Sequence, residues 1–187
     1  MLSVLFVDVD AADGGDGLEW STAFRDLQDA LDRAAEVNGD GIGENDVDQV
    51  WIAEGTYRPS AELEPGSARS AGFSLVDGVT LCGGFAGIEA TLEERDVAMH
   101  ITTLSGDLGT IGNSSDNAHT VVYCGADTEA ALDGLSITDG NASLSYSSNH
   151  PERNYGGGIY STGSLTVTDV TLSGNSAKGD GGGIYNY

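Results

Sequence analysis

Apolar and polar positions alternate over short stretches along much of this chain. In Val79-Thr80-Leu81, Leu135-Ser136-Ile137 and Val170-Thr171-Leu172, a hydroxyl residue separates two apolar ones. That is the period-2 pattern of a strand with one buried face. The match extends outward, so that 78–82, 134–138 and 169–173 align as one column. A second strand is predicted before each of these, at 73–75, 120–122 and 165–167. A third follows at Ile159-Tyr160, at Ile184-Tyr185 and at 101–104. Two Gly-Gly-Gly-Ile-Tyr blocks open at Gly156 and Gly181, 25 residues apart, and a fixed period of this size marks stacked repeats. Three short strands per period, joined by Gly, Asn and Asp turns, predict an all-β chain. Its expected architecture is a right-handed parallel β-helix, a solenoid of about three coils, each resting on a neighbour about 4.8 Å away.

Near the N-terminus the period changes. Phe24, Leu27, Leu31, Ala34 and Ala35 fall at helical spacing, with Arg25, Asp26, Asp29, Asp32 and Arg33 on the other face. This predicts an amphipathic α-helix over 21–35, with Ser21 as its N-cap. Its expected place is over the open N-terminal end, where an end coil otherwise exposes apolar side chains and unpaired edges. Strands are predicted at 4–9 and at 49–57, the latter ended by Arg58-Pro59. One domain results. Residues 1–58 supply the first strand, the capping helix and the first coil, and 59–187 supply the remaining coils. Segments 60–70, 89–100, 113–117 and 143–155 read as surface loops, where binding sites concentrate. The opening segment from Met1 to Val7 is too short for a signal peptide and lacks a basic flank. No run approaches the roughly 18 apolar residues of a membrane span.

Leu172, Asn175 and Ala177, followed by Gly181, Gly182 and Ile184, resemble the repeat of the polymorphic outer membrane proteins. That repeat is a Phe-x-x-Asn motif followed by Gly-Gly-Ala-Ile. Here Leu stands for Phe and Gly for Ala. An earlier copy keeps Asn141 and Ala142 without the intervening residue, and its gap to Gly156 is longer. The opening strand, acidic Gly loop, Trp20, helix and Gly55-Thr56-Tyr57 strand end resemble the N-terminal part of large bacterial β-helix surface proteins of the pectate-lyase-like superfamily. The resemblance implies a secreted or cell-surface bacterial protein cut from a longer exported precursor. Repeats without a convergent catalytic constellation favour a non-catalytic adhesin, stalk or scaffold; the alternative is a carbohydrate-binding or polysaccharide-degrading lyase or hydrolase. β-Helices host all of these.

Charge narrows the partners. Seven basic residues against 30 acidic ones leave a net charge of −23. Such a surface disfavours nucleic acid and anionic membranes and favours cations; a polysaccharide or cell-surface ligand remains open. Asp8, Asp10, Asp13 and Asp16 lie on a loop with Gly14, Gly15 and Gly17, a candidate Ca²⁺ site. In a second acidic loop, Glu36, Asn38, Asp40 and Gly41 match positions 1, 3, 5 and 6 of an EF-hand-like loop. The match fails at position 12, which is Val47, flanked by Asp46 and Asp48. Both loops also read as plain turns. His100, His119 and His150 are scattered, and neither they nor Cys82 and Cys124 have zinc-ligand spacing. The two cysteines fall on neighbouring coils but in different columns, so nothing in the spacing requires a disulfide.

For catalysis, Asp77, Asp133 and Asp169 are candidate carboxylates near one turn column. A lyase adds a nearby Arg or Lys, and a hydrolase needs carboxylates facing one groove. Only Arg153 and Lys178 lie near the repeat coils, and Asp before Gly is a turn former. No catalytic residue is assigned. Asn141 and Asn175 read as a stacked turn ladder. Tyr155, Tyr160 and Tyr185 read either as a strip for sugar stacking or as a structural ladder. The last coil, 165–187, has no successor in the sequence, and its edge predicts either further coils or self-association.

Overall fold

The computed structural model describes residues 3–187; Met1 and Leu2, which open the segment weighed as a signal peptide, lie outside them. The N-terminal part contains β1 (Ser3–Val7), α1 (Leu27–Asn38), β2 (Val47–Ala53), β3 (Gly55–Tyr57) and β4 (Phe73–Ser74). The middle contains β5 (Thr80–Phe85), β6 (Thr102–Ser105), β7 (Val122–Cys124), β8 (Glu129–Asp133), β9 (Ser136–Thr138) and β10 (Asn141–Ala142). β11 (Ile159–Ser161), β12 (Ser164–Thr168), β13 (Thr171–Ser173), β14 (Ser176–Ala177) and β15 (Ile184–Asn186) complete the chain. The chain is thus mostly strands in parallel sheets, with one α-helix.

The first sheet has the order β1-β2-β5-β8-β12, the second β3-β6-β9-β13 and the third β4-β7-β11-β15, with β10-β14 as a small fourth. After β1 the chain visits first, second and third sheet in the same order four times. Parallel pairing aligns one apolar row in each sheet. Leu5, Val50, Leu81, Leu132 and Val167 form the first. Tyr57, Leu104, Ile137 and Leu172 form the second, and Phe73, Val122, Ile159 and Ile184 the third. All but the last-layer members are buried, whereas Val167 is 39% and Ile184 40% exposed.

This register corrects the expected columns. Val79-Thr80-Leu81 does not lie over Leu135-Ser136-Ile137: Leu81 sits between Val50 and Leu132 in the first sheet. Ile137 sits between Leu104 and Leu172 in the second. Leu165 and Val167 flank Ala130 and Leu132 and belong to the first sheet. The earlier partners of Ile159 are Val122 and Phe73, while 101–104 joins the second sheet. Three-residue strands of the same alternation are interchangeable by pattern, so only packing chooses among the sheets. The later columns hold, with Ser136 beside Thr171 and Ile159 beside Ile184. The first pair is 35 residues apart and the second 25, because the 143–155 loop adds ten. Asn141 pairs with Ser176 rather than standing under Asn175, so the two asparagines do not stack. Their amides still bond backbone, Asn141 to Ser114 O (2.6 Å) and Asn175 to Ile137 O (2.8 Å). In the glycine blocks, Gly157 N and Gly158 N donate to Gly181 O and Gly182 O at 3.2 and 3.1 Å. A Cβ on Gly157 would collide with the Ser176 carbonyl, so this position needs glycine for close approach.

The helix starts later than the pattern predicts. Asp26, not Ser21, is the N-cap, its carboxylate accepting from Gln28 N at 2.9 Å. Trp20–Thr22 forms a separate 3-10 turn. Phe24 leaves the helix to bridge Val7 in parallel fashion, its N–H donating to Phe6 O at 2.9 Å. Leu27, Ala30, Leu31, Ala34 and Val37 bury one stripe of α1 in the same apolar cluster as Leu5, Val7, Val50 and Phe73. The helix touches β1, β2 and β4. The opposite face of the first sheet is also covered near β1. Trp51, Cys82 and Phe85 are buried there against Phe6 and Trp20, and the Trp51 and Phe85 rings stack at 4.7 Å.

Leu27→Ala is expected to cost about 2–5 kcal/mol of stability, and Asp26→Ala about 1 kcal/mol through the lost cap. Urea unfolding followed by circular dichroism measures both, and parental stability for Leu27→Ala would remove α1 from the core.

Candidate functional site

The first acidic loop spends its carboxylates on local contacts. Asp8 Oδ1 accepts from Asp10 N at 2.9 Å. Asp16 Oδ1 accepts from Thr22 Oγ1 (2.6 Å) and Leu18 N (3.1 Å), bonds that hold this carboxyl below its ordinary range. Asp13 pairs with Arg25 at 3.0 Å and lines a groove of about 420 Å³ with Arg25 and Arg58. Asp8, Asp13 and Asp16 are therefore acceptors in turns and one ion pair, while Asp10 joins the turn through its backbone N–H. Among the described residues, no three His, Cys, Asp or Glu side chains gather closely enough to hold a metal ion.

The second loop is different. Asn38 clamps it, donating to Val47 O (3.0 Å) and accepting from Val47 N (2.7 Å). Asp40 Oδ1 accepts from Ile42 N at 2.6 Å, an exposed turn bond, and Asp40 stands outside the neighbouring groove. That groove, of about 570 Å³, runs between α1, the start of β2 and segment 74–78. Asn38, Asp46 and Asp48 line it, joined by Asp32, Asp77 and Gln28, over apolar Leu31, Leu75 and Val76. Asn38, Asp46 and Asp48 thus meet two carboxylates from elsewhere, whereas Asp40 stays outside and Glu36 pairs with Arg33 at 2.8 Å. The signal for Asp32 and Asp77 was present only as an outward helix position and an Asp-Gly turn; their convergence needs the fold.

The candidate catalytic carboxylates do not share a column. Asp77 sits before β5, where its Oδ1 accepts from Glu129 N at 2.7 Å. Asp133 ends β8 and pairs with Arg95 at 2.6 Å, both side chains largely buried (22% and 15% exposed). Asp169 follows β12 with φ 48° and lines a shallow groove with Val97, Ile101 and Val170. Arg95 comes from the 89–100 loop, and its Nη1 also donates to Gly83 O at 3.2 Å. Arg58 and Arg69 act in the same way, reaching Asp107 O (2.8 Å), Asn117 O (2.7 Å) and Asn141 O (2.8 Å). These arginines staple loops to the sheets. Residue type alone shows no difference between such a staple and a catalytic base.

Tyr123, Tyr160 and Tyr185 stack at 5.9 and 5.5 Å, and Tyr155 stacks on Tyr185 at 4.8 Å. Rings this close turn their faces to one another and admit no sugar ring between them. Tyr146 tilts against Tyr155 and is 61% exposed. Cys82 and Cys124 are free and buried; burial pushes Cys82 up to about 12 and raises Cys124 as well. Compared with known families, curated proteins and solved structures, the chain finds no match.

Two measurements test this account. Arg95→Ala leaves the Asp133 carboxylate partly buried and without its cation, and is expected to cost about 3 kcal/mol in urea unfolding. His119 is buried, and desolvation, reinforced by the Arg69 guanidinium, pushes its pKa from 6.5 down to about 4. The unfolded chain therefore binds a proton that the folded chain refuses. Its contribution to stability is full above about pH 6.5 and is lost as pH falls toward 4. His119→Gln is expected to flatten that part of the stability–pH curve, and an unchanged slope would exclude His119 as its source.

Proposed function

We propose that the chain is a right-handed parallel β-helix with α1 as its cap at the β1 end, serving as a non-catalytic extracellular or cell-surface module. Adhesin, stalk and scaffold are the roles that fit. The fixed visiting order of the three sheets supports the β-helix, with four turns after β1 rather than about three. The likeness of 172–184 to the polymorphic outer membrane protein repeat supports a place outside the cell. One observation carries the non-catalytic reading. Asp77 and Asp133, with Arg58, Arg69 and Arg95, are already bonded to backbone or to each other. A reacting centre needs such groups aimed at a substrate. The carbohydrate-active alternative has weaker support, since the tyrosine faces are filled by one another.

A scaffold also needs neighbours. β12, β13, β14 and β15 are the outermost strands of their sheets, with half-exposed apolar residues in the same layer. We read this face as a docking surface for further parallel strands, from more repeats or from a second copy.

Incubation with neutral and acidic polysaccharides, with and without Ca²⁺, is expected to release no new reducing or unsaturated ends. Turnover above the buffer rate would retire the non-catalytic reading. Sedimentation velocity is expected to show self-association that Ile184→Lys reduces; a strictly monomeric parent would count against the docking face.

A further inference from the structure

We propose that the groove between α1, β2 and segment 74–78 binds a small organic cation, an aliphatic amine of the polyamine class. This goes beyond the scaffold reading and does not depend on it. Asp32, Asp46, Asp48 and Asp77 line the groove, and no Lys or Arg is among its described lining residues. Acidic residues alone would say little, but Gln28 adds an independent feature. It is only 8% exposed. Its Nε2 donates to Asp32 Oδ1 at 2.8 Å, which fixes the amide orientation, because a carboxylate accepts and cannot donate. Its Oε1 is thereby left buried with no donor, as is Asp46 Oδ1. Unpaired buried acceptors of this kind are uncommon and call for a partner.

Of the side-chain donors among the described lining residues, the two amides are engaged, and the Ser74 hydroxyl accepts as readily as it donates. Gln28 Nε2 serves Asp32, and Asn38 Nδ2 serves Val47 O. What the groove still offers is acceptors, so its complement is a group with donors only. Ammonium is that group. A sugar hydroxyl would bring acceptors as well as a donor, and an anion would meet four carboxylates. A bare Ca²⁺ fits less well, because it needs six or more oxygens at about 2.3–2.6 Å, and among the described residues no three carboxylates converge so closely. A volume of about 570 Å³ suits an organic ligand. The apolar floor of Leu31, Ala35, Leu75 and Val76 suits methylenes between two charged ends.

Isothermal titration calorimetry with spermidine in about 150 mM NaCl, where long-range surface attraction is screened, tests this. One saturable site per chain is expected. Asp46→Asn and Gln28→Met should each weaken it tenfold or more, while Asp180→Asn, which removes the same charge at an exposed distant loop, should leave it unchanged. Thermal melts without ligand establish that each variant is folded. Equal weakening by Asp46→Asn and Asp180→Asn, several weak sites, no heat, or a single site taken by Ca²⁺ in preference to spermidine would each overturn the proposal.

Discussion

Parallel pairing between successive layers is the constraint on which everything else here depends. A strand of three residues cannot bury its inward side chain alone, and its N–H and C=O groups find partners only in the strand above and below. Leu81 is buried because Val50 and Leu132 flank it. Ile184, with one neighbour, stays half exposed although its residue type is the same as that of Ile159. Stability is therefore a property of the stack, and the glycines serve it directly: at Gly157 the next layer comes too near for any side chain.

The loops are held by a different chemistry. Several of them are tied down by an arginine or an aromatic ring. Arg95 and Trp20 tie the 86–97 region to the first sheet, Trp20 Nε1 donating to Glu89 O at 2.9 Å. Arg69 ties the 117–119 and 141–143 segments together. In the 143–155 loop, His150 lies between Glu64 and Glu152, and Arg153 pairs with Glu64. With only seven basic residues in the chain, this concentration on loop anchoring leaves most of the acidic surface uncompensated. Mutual repulsion among those carboxylates is tolerable because they lie on exposed turns, where water screens them. The groove beside α1 is the exception, since it gathers carboxylates around partly buried acceptors.

Part of the strand pairing was legible from residues alone. The Gly-Gly-Gly-Ile-Tyr blocks carry their own register, and Ile159 stands beside Ile184 as their spacing requires. The existence and amphipathic face of α1 were written in a 3.6-residue period, which is strong over twelve residues. Its start was not, because Ser21 and Asp26 are both competent caps, and the pairing of Phe24 with Val7 decided between them. The earlier columns failed for a related reason. Val79-Thr80-Leu81 and Leu135-Ser136-Ile137 share one local pattern but lie in different sheets.

What the sequence by itself determined is thus local: short alternating strands, tight turns at glycine and aspartate, one amphipathic helix and an acidic surface. Tertiary structure decided which strand lies on which, and so which distant side chains meet. Asp32, Asp46 and Asp77 come from a helix, a loop and a turn, and Trp51, Cys82 and Phe85 become a second buried cluster only once Trp20 folds across them. A period specifies a face within one element. The choice of neighbour rests on the summed packing of many such faces, which no single stretch of chain contains.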